Sequence, residues 1–335
     1  MTGGTSLSKR KYPEDVTSQR SGLPKKQFFR QRAHVNPFSD YELSYPSAPE
    51  QYDWHSFYPA HFPKKEEESQ SAGEASSNHV TGQKVVEFAD IGCGYGGLMM
   101  SLSPLFPDTL ILGMEIRDKV AEYVDRRVQA LREQNMDKQR DETGSYQNVA
   151  VHRMNAMRFL SNFFKKGQLT KMFFLFPDPH FKAKKHKHRI ITPQLLAEYA
   201  YTLRIGGLLY TCTDVRALHE WMVKHIDAHP LFERIPNKDL EGDPCIPCVM
   251  NDTEEGKKVA RNNGDKFLAV YRRIDDAQDP NWKGFAPLFD KGDKNDKEGG
   301  NEEDSNDDND GEGAEDNGGE AEEGGDKMVV DRNAE

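Results

Sequence analysis

Nothing in these 335 residues approaches the run of about 20 apolar residues that spans a bilayer. The polar start also lacks the apolar stretch of a secretory leader, so the expectation is a soluble intracellular protein with no membrane partner. Cysteine is scarce. Four residues, Cys93, Cys212, Cys245 and Cys248, are too few and too scattered for a disulfide framework, and a reducing compartment follows. Cys245-Ile-Pro-Cys248 has half the spacing of a zinc site, but no second pair stands at suitable spacing, so no metal is expected. Tryptophan is limited to three residues; Trp54 and Trp221 lie among apolar neighbours and read as core.

A uniform excess of positive charge is also missing, since the chain carries a net −11. That value misleads about partners. Residues 291–335 hold 18 acids against 5 bases and almost nothing apolar, so they cannot bury enough surface to order themselves and read as an acidic tail. The remaining 290 residues carry +2. Residues 1–34 hold 8 bases against 2 acids and read as a flexible basic arm. Residues 35–63 form a lead rich in proline and aromatics, residues 64–82 a polar insertion, and residues 83–290 one folded domain of ordinary size.

Within that domain, short apolar runs alternate with helical patterns. Val85–Asp90, Thr109–Glu115, Val149–Arg153, Lys171–Phe176 and Leu208–Thr213 read as buried strands. Helices are predicted over about 117–135, 156–164, 193–204 and 215–228, the third stopped by Gly206 and Gly207. A short strand near Phe232 and a last one over Phe267–Arg273 have no obvious full helix between them and are expected to pair as an antiparallel hairpin. The alternation predicts a doubly wound, Rossmann-like α/β sheet with its last strands antiparallel.

Two motifs carry the chemistry. Asp90-Ile-Gly-Cys-Gly-Tyr-Gly-Gly97 follows the first strand and matches G-x-G-x-x-G at Gly92, Gly94 and Gly97. Such a turn serves both dinucleotides and S-adenosylmethionine, and Glu115 at the end of the second strand is placed to accept ribose hydroxyls in either case. Asp90 before the glycines, and Asn155-Ala156 after the third strand, favour the methyl donor. The second motif, MFFLFPDPHFKAKKHKHR at 172–189, ends an apolar strand with two prolines around one acid. Asp178 is thereby presented at the carboxyl edge of the sheet, where open α/β sheets bind ligands. Lys182, Lys184, Lys185, Lys187 and Arg189 then offer phosphate contacts, which points to chemistry on nucleic acid.

Taken together, FADIGCGYGG at 88–97, LFPDTLILGMEIR at 105–117, NAM at 155–157, KMFFLFPDPHFK at 171–182 and TEEGKK at 253–258 closely resemble the tRNA (guanine-N7)-methyltransferases, and RQRAHVNPF at 30–38 resembles their eukaryotic branch. The resemblance covers about residues 28–275. It implies a seven-stranded S-adenosylmethionine-dependent methyltransferase acting on a tRNA guanine, usually position 46 of the variable loop. By motif, Gly92, Glu115, Arg117, Asn155, Ala156 and Leu175 would line the cofactor site, Asp178 would be the active-site acid, and Thr253 and Glu255 would close the pocket. A non-catalytic WD-repeat (β-propeller) subunit and a nuclear location are implied for the eukaryotic type; KRK at 9–11 is compatible with import. A non-catalytic RNA-binding subunit that keeps this fold is the alternative, and the intact Asp178 and cofactor loop argue against it.

Overall fold

The computed structural model describes residues 22–32, 35–39, 43–62 and 84–275. Parts of the expected arm and lead, the insertion over 64–82 and the tail over 291–335 lie outside them.

Seven strands form one sheet: β1 (Val86–Ile91), β2 (Leu110–Glu115), β3 (Val149–Arg153), β4 (Leu169–Leu175), β5 (Leu203–Thr213), β6 (Phe232–Arg234) and β7 (Phe267–Arg273). Their order is β3-β2-β1-β4-β5-β7-β6. The first five run parallel, and β7 is antiparallel to both β5 and β6. The sheet reverses order beside β1, so β1 and β4 diverge at a switch point, and a crevice opens at their carboxyl ends.

The strands are apolar throughout because both faces are covered, and the side chains alternate between two cores. Leu112, Met172, Phe174 and Leu209 enter one core; Ile111, Phe173, Leu175 and Tyr210 enter the other. Burying side chains of this size contributes about 1.5–3 kcal/mol each before the entropy of ordering is subtracted. Helices α1 (Gly97–Leu105) and α2 (Asp118–Gln134) cover the second core. Helices α3 (Ala156–Phe163), α4 (Pro193–Thr202) and α5 (Arg216–Asp227) cover the first. Side-chain caps start two of these: Asn155 accepts from Met157 N–H, and Thr192 from Leu195 N–H, with Pro193 at the first position.

Three details depart from the sequence reading. Gly206 and Gly207 do not stop a helix; α4 ends at Thr202, and the two glycines lie inside β5, where the pairing with β4 shifts register. The last two strands are antiparallel but do not form a hairpin. A 3-10 turn (Asn237–Leu240) and two short helices, α6 (Cys245–Asn251) and α7 (Glu254–Arg261), lie between them. That excursion is pinned to the sheet by a chain of hydrogen bonds, from Lys171 Nζ to Tyr210 Oη at 2.7 Å and from Tyr210 Oη to Asp243 at 2.6 Å.

The third departure concerns the expected flexible arm. Residues 22–32 pack on the domain: Phe29 is 4% exposed against Tyr123, and Gln31 caps α2 through Lys119 N–H. The lead from 43 to 62 covers the sheet edge. Arg132 on α2 donates to the carbonyls of Phe57, Tyr146 and Val149, and the buried Tyr58 hydroxyl reaches the Ile111 carbonyl at 2.9 Å. Covering β3 in this way shields an edge strand that would otherwise invite pairing. Trp54 is partly buried among these aromatics.

Candidate active site

The crevice is built from the carboxyl ends of β1, β2, β3 and β4. After β1 the chain turns through Gly92 and Gly94, and the N–H groups of Gly92 and Cys93 both donate to the Met114 carbonyl on β2. Gly97 opens α1 where nothing larger fits, since a Cβ there would sit 2.3 Å from the Asp252 carbonyl. The loop is therefore clasped against the start of α7.

Glu115 ends β2 at 3% exposure with both carboxylate oxygens engaged. Oε1 accepts from the Arg117 backbone N–H at 2.9 Å and from Arg117 Nε at 3.1 Å. Oε2 accepts from Arg117 Nη2 at 2.9 Å and from Gly94 N–H at 3.1 Å. Arg117 lines the same crevice as Asp178, whose charge acts only weakly on its guanidinium.

Asp90 is different. It is 2% exposed, and Oδ2 has no hydrogen-bond partner among the described residues. Burial, with the charges of Glu254 and Glu115 in support, pushes its carboxyl up to about 8. Such a carboxyl ionises more readily with a positive group beside it.

Asn155 caps α3 through Oδ1, while Nδ2 donates to the Pro37 carbonyl at 2.6 Å. The lead thereby becomes a wall of the crevice, which Val35 and Pro37 line together with Gly92, Glu115, Arg117, Asn155, Ala156 and Leu175. Asp178 and His180 line the same space, with Phe176, Pro177, His188 and Ile190. Phe176 and His180 on either side of Asp178 have φ of 50° and 43°, in the left-handed region that bulky residues avoid. Such strain persists only where the surroundings over-determine it. Here the Phe176 N–H is held by the Cys212 carbonyl at 2.7 Å, and Arg189 Nε donates to the Pro179 carbonyl at 2.8 Å.

Two groups of expected site residues do not join this crevice. Thr253 and Glu255 do not line it: Thr253 Oγ1 accepts from Gly256 N–H as the cap of α7, and Glu255 is exposed. The acid that faces the glycine loop is Glu254, which also pairs with Lys26 at 2.7 Å. In the basic run, Lys182, Lys184, Lys185 and Lys187 are exposed on a 3-10 turn (Ala183–His188) beside the crevice mouth. Arg189 is not. It is 6% exposed, with its guanidinium 4.6 Å from the centre of the Trp221 ring, and its work is to hold the turn. Among the described residues no cluster of histidine, cysteine or acid could hold a metal ion.

Sequence reasoning missed Val35 and Pro37, which line the crevice, and gave no place to Asp90 and Glu254, which stand beside the glycine loop without lining it. The acid directly before the glycines was the signal for Asp90. Nothing in the lead's composition announced that its backbone would meet Asn155.

The chain is similar to known proteins over most of its length. A family model described as "Putative methyltransferase" matches residues 84–269. The tRNA (guanine-N(7)-)-methyltransferase of Homo sapiens is 56% identical over 262 residues, covering 78% of this chain and 92% of that protein. The proteins of that name from Yarrowia lipolytica and Danio rerio are 55% and 56% identical, covering 78% and 76% of this chain and 80% and 98% of theirs. Among solved structures, the 16S rRNA methyltransferase KamB aligns with 57% of this chain and 89% of its own at 14% identity and a TM-score of 0.37.

Proposed function

Because this chain belongs to the tRNA (guanine-N7)-methyltransferases, we propose that its crevice binds S-adenosylmethionine and delivers the methyl group to guanine 46 of the tRNA variable loop. The observation that carries the reading is one crevice lined by Gly92, Glu115, Asn155 and Asp178. The residues fit the cofactor. Glu115 offers acceptors for ribose, Ala156 and Leu175 offer apolar surface to adenine, and Asp90, buried near the end of β1 beside the lining residues Ile91 and Gly92, offers its charge to the cationic end when it ionises.

When bound, S-adenosylmethionine supplies an electrophilic methyl group on a sulfonium. Guanine N7 carries a free lone pair, so no residue has to remove a proton from it. What the chain must supply is position, because N7 lies on the major-groove edge and a stacked base cannot reach the crevice. Methylation leaves the purine cationic, and the Asp178 carboxylate, held by its rigid turn, stabilises charge that grows toward the transition state. The same carboxylate accepts from the guanine N1 and N2 edge, which adenine cannot satisfy. Lys182, Lys184, Lys185 and Lys187 bind the phosphates that bring the loop to the mouth.

The reading extends to a heterodimer with a WD-repeat subunit and to the nucleus; it is supported by the eukaryotic-type lead RQRAHVNPF and by the basic KRK at 9–11. The test is transfer of labelled methyl from S-adenosylmethionine to tRNA, with and without the WD-repeat subunit, followed by mapping of the modified base. Label at N7 of guanine 46 is the expected result. Label at another position, or none in either arm, overturns it.

A further inference from the structure

We infer that Phe181 is a stacking platform for a nucleobase next to the target guanine, an aromatic contact added to the phosphate clamp. The inference rests on the tRNA substrate proposed above. Phe181 is 74% exposed, well beyond Phe38 at 49% and Phe28 at 42%. A lone exposed phenylalanine would need no explanation. This one stands three residues beyond Asp178, so its backbone lies within about 11 Å of the acid.

Its surroundings say what covers it. The exposed Lys182, Lys184, Lys185 and Lys187 follow it directly, and a protein surface laid over the ring would have to meet all four positive charges. A single-stranded nucleic acid meets both features at once: phosphates answer the lysines, and every base has a π-face for the ring, the usual combination in single-strand binding. The variable loop must open to give up its guanine, and opening unstacks a neighbour that then needs a new partner.

The ring is also pre-organised. The His180 φ of 43° turns the chain outward just before it, the Arg189 bond to the Pro179 carbonyl anchors the turn, and the 3-10 turn after Lys182 holds the other side through Lys185 N–H on the Lys182 carbonyl at 2.8 Å. An aromatic on a fixed backbone loses little freedom on stacking.

The test compares wild type, Phe181→Leu and Phe181→Trp, each with the partner subunit, on full-length tRNA. Leucine keeps the apolar bulk and removes the π-face, so the KM for tRNA should rise about tenfold. Affinity for S-adenosylhomocysteine and the slope of tRNA binding against salt should not change, and tryptophan should restore the KM to within about twofold of wild type. The inference is overturned by a leucine variant with wild-type KM, by tryptophan failing as leucine does, or by loss of the partner subunit or of cofactor affinity in the leucine variant. Wild type that does not methylate tRNA would instead overturn the proposed function; wild type that does, with an indifferent leucine variant, removes only the platform.

Discussion

Arg117 grips Glu115 by both carboxylate oxygens, at 3.1 Å through Nε and 2.9 Å through Nη2. With the backbone N–H groups of Arg117 and Gly94 added, the roughly four lone-pair sites of a carboxylate are filled. A ribose that binds Glu115 has to displace part of that grip. Replacing Glu115 with glutamine leaves an acceptor but removes the charge that holds Arg117. We expect Glu115→Gln to weaken S-adenosylhomocysteine binding at least about tenfold by titration calorimetry, with an unchanged circular dichroism spectrum. Affinity within twofold of wild type would take Glu115 out of the cofactor site.

Asp90 makes both stability and binding depend on pH. Its carboxyl ionises near 3.8 in the unfolded chain and near 8 in the fold. Between those values the folded protein keeps a proton that the unfolded chain has lost. The stabilisation is therefore complete below about pH 4 and is lost as pH rises through about 8. Asp90→Asn should flatten the stability profile between pH 5 and 8 and gain on wild type as pH rises, measured by denaturant unfolding. A cationic cofactor prefers the ionised form, so wild-type affinity for S-adenosylmethionine should climb toward pH 8, and binding at pH 7 should release a proton. Calorimetry in buffers of different ionisation heat reads that proton; no release, or parallel stability profiles, would exclude this role.

Asp178→Asn keeps the size and most of the hydrogen bonding of the side chain and removes its charge. If matching the purine cation is its main work, the methyl-transfer rate should fall at least about 100-fold while cofactor affinity stays within about twofold. An asparagine variant near wild-type rate would leave only base selection to Asp178.

The basic turn should divide into two behaviours. Lys184→Ala and Lys185→Ala together should weaken tRNA binding and lower the salt slope by about one to two, since each removes up to one phosphate contact. Arg189→Ala should instead lower the melting temperature by several degrees, because it frees the Pro179 carbonyl and uncovers Trp221. Thermal melts and salt titrations on the same three proteins separate the two. An Arg189 variant with wild-type melting and a reduced slope would return it to the clamp.

Most of the sheet was legible because a buried parallel strand is an unbroken apolar run, and the two proline-bracketed and glycine-rich turns mark their own positions. The same signals were silent where partners come from far along the chain. Five bases within eight residues do not reveal which one turns inward, and only the packing against Trp221 separates Arg189 from its lysine neighbours. Adjacent acids at 254 and 255 differ only in helical phase, which puts Glu254 toward the glycine loop and Glu255 in solvent. The short α6 and α7 escaped notice because Pro244, Pro247 and Gly256 break up any helical pattern between 244 and 261. Gly206 and Gly207 resemble a helix stop in sequence, and only the register shift with β4 shows a bulge.

The bond between Asn155 Nδ2 and the Pro37 carbonyl joins residues 118 positions apart. During synthesis, Pro37 leaves the ribosome well before Asn155 exists to receive it. One wall of the crevice thus waits on the third strand, and a segment made early has its partner only after that strand is complete. The crevice is therefore complete only after the chain has run past β3, which ties its full lining to a late stage of folding.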